Sequence, residues 1–165
     1  MVKEKFRKKT IGTRTFGSEV DITDPGYDKD TWCRMNAVKI LPGNYSCITW
    51  LHKQLYEYNG RKRSVQYVAI MGIYYGGIIP SQKSMYEMGT IGVDSGLAGF
   101  FENKPDYTNS EWKEFCDRVY ENEKERAWII ENGFFSTSGF GDGGYSVYAH
   151  ENKDGFVTAL EIRFI

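Results

Sequence analysis

The apolar residues of this chain alternate with polar ones in short runs for most of its length and adopt a helical period only once. Arg34 to Leu41 and Asn44 to Leu51 flank Pro42-Gly43, which predicts a hairpin whose two-residue turn sets Val38 opposite Cys47 and Ile40 opposite Tyr45. That register keeps Cys33 far from Cys47. A third strand, Ser64 to Tyr75, follows the Asn59-Gly60 turn, and its Val68-Ala69-Ile70-Met71 run is apolar on both faces, as a central strand covered on two sides requires. Ala127 to Ile130, broken by Asn132-Gly133, and Tyr145 to His150 read as further strands. The Asn152-Lys153-Asp154-Gly155 turn leads into Phe156 to Ile165, where Leu160, Ile162 and Phe164 alternate with Glu161 and Arg163.

The period changes between Tyr107 and Arg126. Trp112, Phe115, Cys116, Val119 and Tyr120 fall at i, i+3, i+4, i+7 and i+8, one stripe of a helix placed at Ser110 to Arg126. Thr108 and Glu111 have capping-box spacing at its start, and the charged run Glu121 to Arg126 reads as its solvated end. Many strands and one helix predict an α+β, mainly β fold: an antiparallel β sandwich or rolled sheet with one docked amphipathic helix, a half-open barrel being the alternative. With no repeat or composition break, residues 1–165 read as a single domain whose basic first ten residues form a flexible N-terminus.

Composition agrees with sheets: aromatics make up 16% of the chain, and eighteen glycines supply turns. A net charge of -1 provides no global field for nucleic acid or anionic membrane, so the partner expected is a protein or small ligand. No run approaches the roughly 20 apolar residues of a membrane span, and the basic N-terminus is not followed by a signal-type apolar stretch. Three widely spaced cysteines, Cys33, Cys47 and Cys116, read as reduced thiols, and the expected location is the cytoplasm.

Three segments could carry chemistry. Gly139, Gly141 and Gly144 spell a dinucleotide-type glycine motif, yet a strand follows where a helix is needed and Asp142 stands where phosphate would bind. The segment therefore reads as a sharp turn that presents Asp142 and Tyr145. Val93-Asp94-Ser95-Gly96 places Ser95 beside a carboxylate but lacks a nucleophile elbow, and only His52 and His150 could serve as a base, so it reads as a close-packed turn in which Asp94 caps local N–H groups. Asp21, Asp24, Asp28 and Asp30 surround Asp24-Pro25-Gly26 without an EF-hand register. A divalent-metal site would need Asp24 joined by Asp94 and Asp142; otherwise no cofactor is expected. Arg61-Lys62-Arg63 reads as a solvated basic loop tip, the alternative being a single-strand nucleic-acid groove that would use the nearby Tyr56, Tyr58 and Tyr67.

Ile22-Thr23-Asp24-Pro25, Val93-Asp94-Ser95-Gly96 running to Phe100-Phe101, and Ser138 to Tyr145 before a terminal hairpin together resemble a bacterial and phage family of small proteins of unknown function. The resemblance spans nearly the whole chain. It implies that Asp24, Asp94 and Asp142 belong to one signature and that the host is a phage or Firmicute-like bacterium, and it assigns no activity. The expected function is a non-catalytic intracellular ligand- or protein-binding β module, with candidate ligand-binding residues Asp24, Asp94, Ser95, Asp142 and Tyr145. The alternative is a divalent-metal-dependent hydrolase using the clustered Asp carboxylates.

Overall fold

The structure, a computed structural model, describes residues 5–122 and 125–165. Its strands are β1 (Arg7–Phe16), β2 (Glu19–Thr23), β3 (Met35–Lys39), β4 (Gly43–Tyr58), β5 (Arg61–Tyr75), β6 (Tyr86–Val93), β7 (Leu97–Phe101), β8 (Ala127–Ile130), β9 (Gly133–Thr137), β10 (Gly143–Glu151) and β11 (Val157–Arg163), with helix α1 (Asn109–Glu121) between β7 and β8. Two antiparallel sheets, ordered β1-β4-β5-β11-β10-β6 and β3-β2-β7-β9-β8, form a sandwich. The fold is the expected α+β, mainly β one.

Period-two alternation builds three layers. Facing residues of both sheets, among them Phe16, Ile22, Tyr45, Met71, Phe100, Phe134, Leu160 and Ile162, fill the space between the sheets. The neighbours in sequence of two of these, Phe101 and Phe135, point the other way and pack with Leu97 against Phe115, Trp112 and Val119 of α1. The Leu97–Phe101 run is therefore buried throughout because it has a sheet on one face and a helix on the other. The outer face of the large sheet carries its own cluster of Ile48, Trp50, Ala69, Ile70, Tyr74, Met85 and Ala159. That cover explains Glu161, which alternation marks as polar but which is fully buried: Tyr74 Oη donates to its Oε1 at 2.7 Å and Arg163 Nε to its Oε2 at 3.1 Å.

Several expectations hold in detail. β5 is central and its Val68 and Met71 face the inter-sheet core while Ala69 and Ile70 face outward. Asn59 and Gly60, at φ 50° and 70°, make the β4–β5 turn, and β10 and β11 form the terminal hairpin. Thr108 caps α1 through a capping box with Glu111.

Four expectations are corrected. The Pro42-Gly43 hairpin does not form: β3 pairs with β2 in the small sheet, whereas β4 pairs with β1 and β5 in the large one. The reason is local. Asp21 accepts from Ala37 N at 2.9 Å and from Arg34 Nη2 at 2.8 Å, tying β3 to β2, and Pro42 lies on a crossover between sheets where Leu41 N donates to Val157 O. Arg7 to Thr10, assigned to a flexible terminus, begin β1 against β4; residues 1–4 of that segment lie outside the described residues. α1 stops at Glu121 rather than Arg126, because the Asn122 side chain donates to Arg118 O at 3.0 Å and ends the ladder; residues 123–124 of the expected end lie outside the described residues. Beyond Asn132, Gly133–Thr137 is a fully formed strand, which alternation misses because its residues Gly133 to Ser136 are all buried.

Cys47 sits in the inter-sheet core at 0% exposure, and burial pushes its thiol up to about 12 from an ordinary 9. A folded-state pKa raised above the unfolded one gives stability that is complete below pH 9 and is lost as pH rises towards 12. Each pH unit in that window is worth about 1.4 kcal/mol. Between pH 9 and pH 10 the wild type is expected to lose about 1 kcal/mol more than Cys47→Ala, the tyrosines being common to both, measured by urea unfolding at each pH.

Candidate functional site

The three glycine-containing signature segments meet at one end of the sandwich. β6 and β10 pair up to Val93 opposite Gly143, so Asp94 and Asp142 each stand one residue beyond the last pair. Asp24 follows β2, the neighbour of β7, and reaches across to the β6–β7 turn. Its carboxylate is fully buried and accepts four hydrogen bonds: Oδ1 from Gly26 N at 2.6 Å and Ser95 Oγ at 2.6 Å, and Oδ2 from Asp94 N at 2.8 Å and Ser95 N at 2.7 Å. The cap on this turn is thus Asp24 and not Asp94, whose own carboxylate is exposed. A carboxylate answered by four donors is stable when buried and keeps no open lone pair for a ligand.

The loop after Asp24 is held by further polar anchors. Lys104 Nζ donates to Tyr27 O at 2.7 Å and Pro105 O at 3.2 Å, and burial, with the Arg34 charge second, lowers its pKa. Arg34 Nη1 donates to the same Tyr27 carbonyl at 3.3 Å. The Tyr27 phenol is pushed up, first by burial and then by its hydrogen bond to Cys33 and the charges of Cys33, Asp24 and Asp94. Gly26 passes so close to the Trp112 ring of α1 that a Cβ there would lie 3.2 Å from it, so the loop also pins the helix.

The third segment is likewise tied to itself. Ser138 Oγ and Tyr145 Oη both donate to Gly141 O at 2.6 Å, and Tyr145 packs edge-on to Phe164. The Tyr145 phenol is raised by burial, with Asp142 adding to the effect. Asp142 itself is exposed. Tyr145 lines a polar cleft of about 400 Å³ with Ser146, Tyr148, Arg163 and Gln82, where the Arg163 guanidinium stacks 3.6 Å from the Tyr148 ring centre.

Of the five predicted ligand-binding residues, Asp24, Asp94 and Ser95 form one knot, and Asp142 and Tyr145 lie on the adjoining turn. Asp24 is fully engaged by protein donors, and among the described residues no group of three or more His, Cys, Asp or Glu is placed to hold a metal ion. The two histidines lie against other partners, His52 against the Phe6 ring and His150 Nδ1 at 3.1 Å from Ser84 O.

The knot does border an open, mostly apolar cleft. Ser95, Gly96 and Leu97 continue from it as one wall, Trp112, Cys116, Val119 and Tyr120 of α1 form the second, and Trp128 and Thr137 close the floor around about 260 Å³. Trp128 and Val119 also border a neighbouring cleft of about 300 Å³ on the other side, with Phe115, Arg118 and Ile130. Trp128 stacks on Phe135 at 5.0 Å and 18°, yet its Nε1–H is buried without a hydrogen-bond acceptor among the described residues. Pattern reading places Trp112 and Cys116 on the buried stripe of a helix and Trp128 in a strand, but not the gap between them. The one available signal was Tyr120, which extends that stripe although it is 74% exposed. Comparison with protein-family models, curated proteins and solved structures gives no match for this chain.

Proposed function

We propose that this protein is a non-catalytic binding module whose ligand seat is the cleft between α1 and the outer face of the small sheet. The observation that carries this reading is the mostly apolar cleft itself, beside which the Trp128 indole N–H is buried without an acceptor among the described residues. An unmet buried donor costs about 1–3 kcal/mol, and a ligand that turns the indole edge towards the cleft and brings an acceptor recovers it. Apolar walls with a few convergent polar groups are the usual make-up of small-molecule sites. The volume suits a single or fused planar ring, and the acceptor would be a carbonyl or ring nitrogen. The glycine-rich turns and the Asp24 knot serve this seat by fixing the β6–β7 wall. Ser95 Oγ donates to Asp24, but that carboxylate also accepts three backbone N–H groups and both histidines lie against other partners, which favours a binding over a nucleophilic role. Free thiols at Cys33, Cys47 and Cys116 support a reducing cytoplasmic setting.

A set of planar probes (quinoline, benzimidazole, 1-indanone, naphthalene) tests the seat by proton–nitrogen NMR of the indole N–H signals. Probes with an acceptor are expected to move the Trp128 signal and bind more tightly than naphthalene. If all four leave Trp128 unmoved, the cleft is not a ligand seat.

A further inference from the structure

β4 and β5 outrun their neighbours. β1 accompanies β4 only as far as Leu51, and β11 accompanies β5 only to Ile70, so residues 53–58 and 61–66 pair with each other alone among the described residues. The result is a two-stranded arm whose residues Lys53 to Ser64 are all exposed. Its register sets Tyr56 opposite Arg63 and Tyr58 opposite Arg61. Since directly opposed residues and alternate residues share a face, both tyrosines and both arginines lie on one side, with His52 and Tyr67 at the foot of the same side. Residues 53–66 hold four basic side chains, Lys53, Arg61, Lys62 and Arg63, against Glu57 alone, a formal +3 on a chain of net -1, so the remainder sums to -4.

We infer that this arm is a grip for single-stranded nucleic acid, a function separate from the cleft and not dependent on it. The net charge of the whole chain hides it, because the arm's +3 is offset by the net -4 of the remaining residues. Tyr56 is 46% and Tyr58 60% exposed, so both rings are open for stacking. They stand about 6.8 Å apart along the strand, about twice the 3.4 Å rise of stacked nucleotides, so each ring takes its own base from an unstacked strand. Arg61 and Arg63, across the ribbon, meet the phosphates on the same side. Lysine and arginine also guard open strand edges against pairing with another copy, and two arms of charge +3 repel each other, which favours a polyanion over self-association.

Fluorescence anisotropy with a labelled oligothymidylate of about 20 nucleotides at low salt tests the grip. The wild type is expected to bind, Arg61→Glu/Arg63→Glu to weaken binding at least about tenfold and flatten its salt dependence, and Tyr56→Ala/Tyr58→Ala to weaken it about tenfold with the salt dependence kept. Circular dichroism checks that each variant is folded; should a double variant fail, Arg61→Glu and Tyr58→Ala singly carry the same two readouts. The proposal is overturned by absence of wild-type binding, by unchanged binding in either variant, or by tighter binding of the matching duplex. It is equally overturned if the arm instead binds phosphatidylserine vesicles or dimerises the chain without holding the oligonucleotide. None of these outcomes bears on the Trp128 cleft, which the planar probes address.

Discussion

Asp24→Ala is expected to lower the unfolding free energy by about 4 kcal/mol. The substitution leaves four donors, Gly26 N, Asp94 N, Ser95 N and Ser95 Oγ, without their acceptor, and Asp24 is wholly buried, so water replaces it only if the loop opens. Asp24→Asn retains one acceptor oxygen and is expected to cost about half as much. Asp94→Ala separates a knot from a metal site. Asp94 joins the knot through its backbone N–H, which alanine keeps, so its loss is expected to stay within about 0.5 kcal/mol. A shared metal centre would instead make the two carboxylates comparably important. Urea midpoints of the three variants measure the contrast, and a loss at Asp94 equal to that at Asp24 would refute the knot.

The second large effect is expected at Gly139. Its φ of 65° is left-handed, and a Cβ there would overlap the Val68 carbonyl oxygen and lie 3.1 Å from Phe164 Cβ. Conformational strain of about 1–2 kcal/mol and a clash with backbone that cannot rotate away add up to an expected loss of about 3 kcal/mol or more for Gly139→Ala. At Gly141, with φ 98°, an added Cβ would meet nothing within 4 Å, so Gly141→Ala incurs strain alone and is expected to be clearly milder. Thermal unfolding of the pair measures this, and equal losses would mean that close packing against β5 is not what Gly139 supplies. The glycine-rich segment is thus a seam where the chain passes from the small sheet to the large one beneath Phe164, and its spelling follows from that crossing.

Local signals in the sequence carried the strands whose partners are adjacent in the chain. Asn59-Gly60 and Asn152 to Gly155 each join strands that do pair, and the stripe from Trp112 to Tyr120 together with the Thr108 cap locates α1. Pro42-Gly43 misleads because the same local signal accompanies a crossover, and the decisive contacts come from Asp21 and Val157, distant in sequence. Glu161 shows the same limit: alternation reveals which face a residue takes but not whether a second cluster covers that face. The Asp24 signature drew attention to residues that do meet, yet their chemistry depends on direction. The carboxylate points inward to donors on a turn about seventy residues away, and no spacing rule encodes that. The cleft was the least legible part, since an empty space between Trp112, Cys116 and Trp128 is a property of packing rather than of pattern.

The buried indole N–H of Trp128 is the polar handle of the proposed ligand seat. Its most direct test is a titration of 1-indanone into the wild type and Trp128→Phe, which keeps an aromatic wall and removes the donor, followed by calorimetry and by the remaining backbone N–H signals of β8 and α1. A wild-type affinity about five- to tenfold above that of the variant is predicted, with shifts confined to residues 95–97, 112–120, 128 and 137. Equal affinity, or shifts gathered instead around the exposed Trp32, would contradict it.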